Sequence, residues 1–259
     1  MKKYQEVKKL YSNPYLYDIE FKDYHDDIYF WPQIVQDYTP KTLIEVGCGI
    51  GRIANLVAPL VEKYTGLDFS KEFINYFKET KQKLINQHNV ELINQDMKKI
   101  NIKAKYDMVI LPFNVFVYLY THEDVKKFFL GIENICNKDT IIIIDLANNK
   151  KEDFINTDYR LCNEIVDNDN RIIKLFEKHV YDIENKIINY SKKYVWKENK
   201  KEVVLNLPVK VYTIKDFREF AKQYNYKIEA MYGDYDKSEY SIKSRKQIII
   251  LRKKWKDVI

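Results

Sequence analysis

The sequence predicts a doubly wound α/β fold, and three observations support this prediction. From Lys41 to Leu146 the pattern alternates between strand and helix. The strands are uninterrupted apolar runs, such as Ile141–Ile144, as a parallel sheet buried on both faces requires. A glycine turn, Gly47–Gly51, joins the first strand to the first helix. Alternating units of this length form a mainly parallel sheet with helices on both faces.

The predicted elements follow one another along the chain. The predicted strands are Leu43–Val46, Lys63–Leu67, Val90–Asn94, Tyr106–Leu111, Thr140–Asp145, Tyr226–Tyr232 and Gln247–Arg252. The predicted helices are Arg52–Val61, Ser70–Gln87, Glu123–Cys136 and Thr213–Tyr224. Ser70 and Thr121 are expected N-caps, because an acidic residue follows each within the first turn. These strands predict a Rossmann-like, seven-stranded, mainly parallel sheet.

Two segments of different character flank or interrupt this pattern. Residues 1–40 are rich in aromatic residues with helical period, which predicts an N-terminal helical cap. Residues 151–212 contain successive strand-like runs separated by polar turns, which predicts an inserted antiparallel β lid. These runs are Arg171–Glu177, Tyr181–Lys186, Ile187–Lys197 and Glu202–Val211. The α/β core is therefore expected in residues 41–150, with its completion in residues 213–259.

Composition narrows the class of protein. Hydrophobic residues make up 46% of the chain, which is normal for a globular protein with a core. The net charge of +6 is scattered, whereas a basic stripe interleaved with aromatic residues would favour nucleic acid, so no nucleic-acid partner is expected. The three cysteines have no metal-ligand spacing, and no run approaches membrane-spanning length. With no apolar leader at the N-terminus, a cytoplasmic location is expected.

The glycine turn has the pattern E-x-G-x-G-x-G from Glu45 to Gly51. Arg52 stands where a dinucleotide fingerprint needs glycine or alanine, which argues against a dinucleotide. The pattern resembles the first motif of class I S-adenosylmethionine (SAM) methyltransferases of the small-molecule type. This resemblance implies that a turn formed by Gly47, Cys48, Gly49 and Gly51 passes under the methionine part of SAM, and that Glu45 orders this turn.

Acidic residues after the next two strands predict the nucleoside part of this site. Asp68 ends the second strand beside the glycine turn, where a carboxylate can accept both ribose hydroxyls; the alternative is a cap on the following helix. Phe69 would pack on the adenine or in the core. The family resemblance implies that Asp96 accepts a hydrogen bond from the adenine amino group and that the Met97 backbone reads the ring; an ordinary polar turn is the alternative.

The segment Tyr106–Leu119, whose turn Leu111–Asn114 contains Pro112 and Phe113, is similar to the fourth motif of small-molecule methyltransferases. In that family this turn faces the methyl group and the acceptor, which implies that Phe113 and Asn114 line the reaction centre. Phe113 has core packing as its alternative role. The segment departs from the Asn/Asp-Pro-Pro-Tyr box of DNA and protein-glutamine methyltransferases, which argues against those acceptors. The turn at Asn137–Asp139 also departs from the Pro-Gly-Gly common in the family.

The acceptor is less well defined by the sequence. An amine acceptor needs only to be held neutral, whereas a hydroxyl needs a base, for which His122 and His25 are candidates. Tyrosines that could enclose the methyl group or a cationic amine, or simply pack in the core, are Tyr17, Tyr24 and Tyr118. Asp145, Asn148 and Asn149 would suit metal-assisted O-methylation, but an ordinary strand end and polar loop is favoured, and no metal is predicted.

We therefore predict a cytoplasmic enzyme that transfers a methyl group from SAM to a small molecule and releases S-adenosylhomocysteine. An amine acceptor is favoured over a hydroxyl. The enzyme is expected to be a monomer or homodimer without a membrane or nucleic-acid partner. Two alternatives stay open: an RNA or protein methyltransferase with the same core, and a non-catalytic SAM-binding regulatory module.

Overall fold

The computed structural model describes residues 2–254, and the chain divides into two compact units. The core unit contains residues 25–148 and 212–259, and the insert unit combines residues 1–24 with residues 149–211. Met1 and residues 255–259, at the ends of the predicted cap and of the final core segment, lie outside the described residues.

The elements are numbered along the chain. The strands are β1 Thr42–Val46, β2 Lys63–Asp68, β3 Val90–Asn94, β4 Tyr106–Leu111, β5 Cys136–Ala147, β6 Arg160–Val166, β7 Ile172–Asp182, β8 Ile187–Trp196, β9 Glu202–Lys210, β10 Tyr226–Tyr232 and β11 Lys246–Lys253. The α-helices are α1 Lys2–Leu10, α2 Pro14–Phe21, α3 Phe30–Tyr38, α4 Ala54–Val57, α5 Lys71–Thr80, α6 Gln82–Gln87, α7 His122–Ile135 and α8 Ile214–Gln223. Short 3-10 helices span Ala58–Leu60, Met97–Lys99, Val115–Tyr118 and Lys151–Phe154.

The core unit is a seven-stranded sheet in the order β10-β11-β5-β4-β1-β2-β3. The pairs β1–β2, β2–β3, β1–β4 and β4–β5 are parallel, and β11 runs antiparallel to both of its neighbours, β5 and β10. The predicted Rossmann-like fold is therefore confirmed, together with an antiparallel insert. The strand order reverses between β1 and β4, and ligands of open α/β sheets bind outside the carboxyl ends of the strands at such a point.

Both faces of this sheet are buried. Ile141 and Ile143 of β5 join a core cluster that includes Trp31 of α3 and Phe77 of α5. Their neighbours Ile142 and Ile144 point to the opposite face and are fully buried as well. This double burial explains why the strands are continuous apolar runs rather than alternating ones.

The structure corrects several predicted element bounds. The predicted helix Ser70–Gln87 is two helices, α5 and α6, separated where Thr80 Oγ1 bonds back to the Tyr76 carbonyl. The predicted helix Arg52–Val61 contains only α4 and a 3-10 turn, because Pro59 has no N–H to continue the helix. The predicted strand Tyr181–Lys186 is wrong, since β7 runs to Asp182 and a turn follows, and strand β6 was not predicted.

The insert unit is a four-stranded antiparallel sheet in the order β6-β7-β8-β9, with helices α1 and α2. Leu16 and Ile19 of α2 are buried against Leu175 of β7 and Tyr194 of β8. Glu20 of the same helix accepts hydrogen bonds from Lys192 and Tyr194, each 2.5 Å long. The insert unit therefore has a core of its own.

Candidate active site

The glycine turn leaves β1 at the switch point of the sheet. Gly47, Gly49 and Gly51 all have positive φ, of 76°, 56° and 80°. The amides of Gly47 and Cys48 both donate to the Leu67 carbonyl of β2, over 2.7 and 3.0 Å. Left-handed backbone at three alternate positions explains the glycine spacing of the motif, because side chains rarely adopt it.

Gly49 differs from the other two glycines in the space around it. A Cβ atom at Gly47 would lie 2.5 Å from Val115, and one at Gly51 would lie 2.6 Å from the Phe77 ring. At Gly49 the nearest neighbour would be Phe73, at 3.8 Å. Gly47 and Gly51 are thus required by protein packing, whereas the bare backbone at Gly49 leaves room for a ligand.

Asp68 connects the glycine turn to the end of β2. Its Oδ2 accepts from the Gly49 amide at 2.9 Å, and its Oδ1 accepts from the Ser70 amide at 2.8 Å. Burial raises the pKa of Asp68 to about 6, and these backbone donors oppose the rise. The N-cap of α5 is Ser70, whose Oγ accepts from Phe73, so the helix has a cap besides Asp68. Phe69 is half-buried.

Glu45 lies beneath the turn, on β1. It is buried and accepts a 2.6 Å hydrogen bond from the Tyr64 hydroxyl. Burial raises the pKa of Glu45 to about 8, against the opposing effects of Tyr64 and Arg52. Burial also raises the pKa of the Cys48 thiol, so this cysteine is not activated as a nucleophile.

Glu45 is expected to make the folded chain less stable as the pH rises. Its pKa is raised from 4.5 to about 8 on folding, so between these values the unfolded chain releases a proton that the folded chain keeps. The free energy of unfolding should therefore fall by about 1.4 kcal/mol per pH unit on account of this group. Urea titrations at several pH values measure this dependence. For Glu45→Gln, which keeps an acceptor for Tyr64, the free energy of unfolding should fall less steeply with pH, by this amount.

Glu91→Gln is the matched control, because its carboxylate is 48% exposed and pairs with Lys63. It should leave the pH slope of the wild-type protein unchanged. Equal slopes for wild type and Glu45→Gln would show that Glu45 ionises normally.

Asp96 and Met97 follow β3 at the same edge of the sheet. Asp96 caps the 3-10 helix Met97–Lys99, because its Oδ1 accepts from the Lys98 amide at 2.9 Å. Both residues are half-buried. The Gln95 amide and the Asn94 side chain donate to the Asp68 carbonyl, over 2.9 and 3.0 Å, and so fix this segment beside β2.

The turn after β4 is strained. Pro112 is buried, and Phe113 and Asn114, both half-buried, have φ values of 57° and 66°, in the left-handed region. Consecutive left-handed residues other than glycine are costly and persist only where the surroundings hold them. Asn114 Oδ1 accepts a 2.5 Å hydrogen bond from the Ala147 amide, so the amide side chain has the partner that its apolar setting requires.

A buried ion pair holds this turn in place. Asp145 is fully buried, and its Oδ2 accepts from the Phe113 amide at 2.9 Å and from the Tyr235 hydroxyl at 2.8 Å. Its Oδ1 lies 3.2 Å from Lys246 Nζ, which also lies 4.7 Å from the centre of the Tyr235 ring. The carboxylate is thus committed to protein donors, and sequence reasoning did not find Lys246 or Tyr235.

The alternative of a metal at Asp145 gains no support from its neighbours. Asn148 donates its side-chain amide to the Ile242 and Ser244 carbonyls. Asn149 belongs to the insert unit and donates to Asp153. Among residues 2–254, no group of three or more His, Cys, Asp or Glu side chains is arranged to hold a metal ion.

A second ion pair connects the motif to the segment before α3. Arg52 forms a two-pronged pair with Asp27, with N–O distances of 2.6 and 2.8 Å, and the Trp31 indole also donates to Asp27. The guanidinium carbon of Arg52 lies 5.2 Å from the centre of the Phe113 ring. Sequence reasoning used Arg52 only to exclude a dinucleotide, and no local signal marks Asp27 as its partner.

The predicted acceptor residues lie in different places. His122 is exposed at the first position of α7, and His25 is exposed before α3. Tyr118 is half-buried in the core unit, at the end of a 3-10 helix. Tyr17 and Tyr24 are half-buried in the insert unit, where Tyr17 packs on Phe21 with ring centres 4.7 Å apart.

The fold and site together define a class of protein. A seven-stranded sheet with β11 reversed carries a left-handed glycine turn after β1 and carboxylates after β2 and β3. This is the class I SAM-dependent methyltransferase arrangement. Residues 39–225 match the family described as "Methyltransferase domain", and the chain belongs to this family. The predicted enzyme class and the predicted cofactor are confirmed.

Similar proteins agree with this assignment. YqeM of Bacillus subtilis (strain 168), named as a candidate methyltransferase, is 20% identical over 220 residues, which are 83% of this chain and 86% of YqeM. The crystal structure of a SAM-dependent methyltransferase from Clostridium acetobutylicum ATCC 824 matches with a TM-score of 0.78 and 14% identity, covering 93% of this chain and 97% of that one. The sugar N-methyltransferase KedS8 from Streptoalloteichus sp. ATCC 53650 matches with a TM-score of 0.74 and 11% identity, covering 93% and 92%.

Within the part of the chain that the structure describes, no helix has both the length and the apolar character to cross a membrane.

Proposed function

We propose that this methyltransferase acts on a small-molecule amine. The observation that carries the proposal is the strained turn at Phe113–Asn114, whose neighbouring carboxylate, Asp145, is already engaged by Phe113, Tyr235 and Lys246. A hydroxyl acceptor requires a base to remove its proton, and Asp145 is not free for that work. An amine held neutral requires none, and KedS8, with a similar fold, is a sugar N-methyltransferase.

The residues of the core unit fit SAM as donor. The open backbone at Gly49 would accept the methionine part, and Asp68 would accept the ribose hydroxyls with its remaining lone pairs. Asp96 would accept a hydrogen bond from the adenine amino group, and the Met97 backbone would contact the adenine ring. The sulfonium of SAM supplies an activated methyl group, so the work of these residues is alignment and exclusion of water. Phe113 would contribute to that exclusion.

The proposal is tested by binding and transfer. Calorimetry should show that S-adenosylhomocysteine binds, and labelled SAM should methylate members of a panel of amino sugars and small amines. Sugars and phenols that match these compounds but carry hydroxyls and no amine should be labelled at least tenfold more slowly than the amines. Faster labelling of the hydroxyl compounds would overturn the choice of amine.

The two alternatives are outcomes of the same experiment. Label transfer to RNA, with an affinity that falls steeply with salt, or to protein would identify a macromolecular acceptor. Binding of S-adenosylhomocysteine without transfer to any of these acceptors would identify a regulatory module. The cytoplasmic location and the monomeric or homodimeric state stay predictions.

A further inference from the structure

One face of the insert sheet changes from apolar to polar along β7. Leu175, Glu177 and His179 alternate along this strand, so their side chains share a face. Leu175 is buried against Leu16 of α2. Glu177 and His179 continue the same face beyond that apolar contact, where a hydrophobic residue would be expected if the face served only for packing.

His179 is a buried side chain, and one of its ring nitrogens has no hydrogen-bond partner among residues 2–254. It is 8% exposed, and its Nδ1 lies 3.4 Å from Thr157 Oγ1. Its Nε2 is buried without a hydrogen-bond partner among residues 2–254. A buried ring nitrogen without a hydrogen bond costs free energy whichever tautomer the histidine adopts. A ligand group that forms a hydrogen bond with Nε2 would therefore be bound more tightly.

Two more polar groups without partners lie beside His179. Tyr190 of β8 stands directly opposite His179 in the sheet register, with ring centres 5.4 Å apart. The Tyr190 hydroxyl and the Glu177 carboxylate are half-buried, and neither has a hydrogen bond or ion pair with any described residue. Burial raises the pKa of both groups.

The nearby cations do not pair with Glu177. Lys192, opposite Glu177 on β8, is paired with Glu20 at 2.5 Å, and Tyr194 donates to the other oxygen of Glu20. Arg160, opposite Glu177 on β6, is exposed and forms no ion pair within 4 Å among residues 2–254. The Glu177 carboxylate is therefore available to a ligand.

We propose that Glu177, His179 and Tyr190 form a binding site for an amine that carries neighbouring hydroxyl groups, such as an amino sugar. The inference rests on the proposed function, because it names the class of that amine acceptor. The carboxylate can accept a hydrogen bond from an amine N–H, and hydrogen bonds to an ionised acceptor are strong. His179 Nε2 and the Tyr190 hydroxyl match ligand hydroxyls, which both donate and accept.

The site is tested by following the His179 ring resonance in the full-length protein by NMR, with glucosamine as probe and glucose as its neutral counterpart. His179→Gln assigns the resonance among the four histidines of the chain. We expect glucosamine to shift it saturably and glucose to leave it in place. Glu177→Gln should weaken glucosamine binding at least tenfold, and Tyr190→Phe about threefold.

Glu164→Gln is the matched control, since Glu164 is an exposed carboxylate of the same sheet that pairs with Lys174. It should bind glucosamine as the wild type does. Equal shifts with glucose, or unchanged binding in both Glu177→Gln and Tyr190→Phe, would overturn the site even if amine methylation is observed. Conversely, Glu177-dependent glucosamine binding in a protein that fails to methylate amines would uphold the site and reject the proposed function.

Discussion

Replacing Lys246 by Met is expected to lower the free energy of unfolding by about 3–5 kcal/mol, because it leaves a buried carboxylate without its cation. Asp145 is fully buried, and the Lys246 side chain is only 9% exposed. Asp145 also accepts from the Phe113 amide in the strained turn, so the loss should reach the turn that is predicted to face the methyl group. Chemical denaturation measures the stability. Calorimetry with SAM and S-adenosylhomocysteine, which differ by the methyl group, measures any change in discrimination between them.

The chain offers a close control for this substitution. Lys253, on the same strand, is also 9% exposed, pairs with Glu133 at 2.8 Å and lies 4.9 Å from the Tyr226 ring centre. Glu133 is 44% exposed and can regain water, so Lys253→Met should cost about 1 kcal/mol or less. If Lys246→Met and Lys253→Met lose the same stability, the burial of Asp145 has no special role.

The tyrosines beside these lysines extend the comparison. Tyr235→Phe removes a hydrogen bond to the buried carboxylate of Asp145 and should cost about 1.5–3 kcal/mol. The Tyr226 hydroxyl is buried without a partner among residues 2–254, so Tyr226→Phe should be neutral or slightly stabilising.

Replacing Asp68 by Ala is expected to weaken S-adenosylhomocysteine binding by about 100-fold or more, which corresponds to about 2.7 kcal/mol. The carboxylate holds the Gly49 amide, and Gly49 is the position of the turn that has space for a ligand. Both the predicted ribose contact and the hydrogen bond that holds the turn at Gly49 would be lost together. Calorimetry measures the affinity, and thermal unfolding without ligand measures the accompanying loss of stability.

Ser70→Ala separates this role from helix capping. Ser70 Oγ accepts from the Phe73 amide as the N-cap of α5, so its loss should cost about 1 kcal/mol of stability. Its affinity for S-adenosylhomocysteine should stay within about threefold of the wild type, a difference of less than about 0.7 kcal/mol. If Asp68→Ala matched Ser70→Ala in both measurements, Asp68 would be a capping residue only.

The features that sequence predicted best depend on local rules. Tyr106–Leu111 has the predicted bounds, because a mostly apolar run between polar turns defines a buried parallel strand. Val90–Asn94 also has its predicted bounds, although Glu91 and Asn94 of this edge strand are exposed. Ser70 and Thr121 cap helices as expected, since a cap interacts with the next three residues only. The glycine spacing likewise encodes a backbone conformation that few other residues adopt.

The features that sequence did not predict depend on distant partners. Asp27 and Arg52 are 25 positions apart, and Lys246 and Asp145 are 101 positions apart. No residue alone shows its partner, and only the folded chain shows that the carboxylates of Asp27 and Asp145 are buried and paired. The family resemblance pointed to Asn114, but its hydrogen-bond partner, the Ala147 amide, lies at the end of another strand.

By itself, therefore, the sequence determined the class of fold and the position of the glycine turn, because these depend on periodicity and backbone conformation over short stretches. The methyl donor followed from the resemblance of that turn to the first motif of SAM methyltransferases. Only the tertiary structure decided that Gly49 is the glycine with open space and that Asp145 is held by Lys246 and Tyr235. It also revealed that side-chain atoms of Glu177, His179 and Tyr190 have no hydrogen-bond partner among residues 2–254. Burial and pairing are set by residues far apart in the chain, and no local pattern records which of them meet.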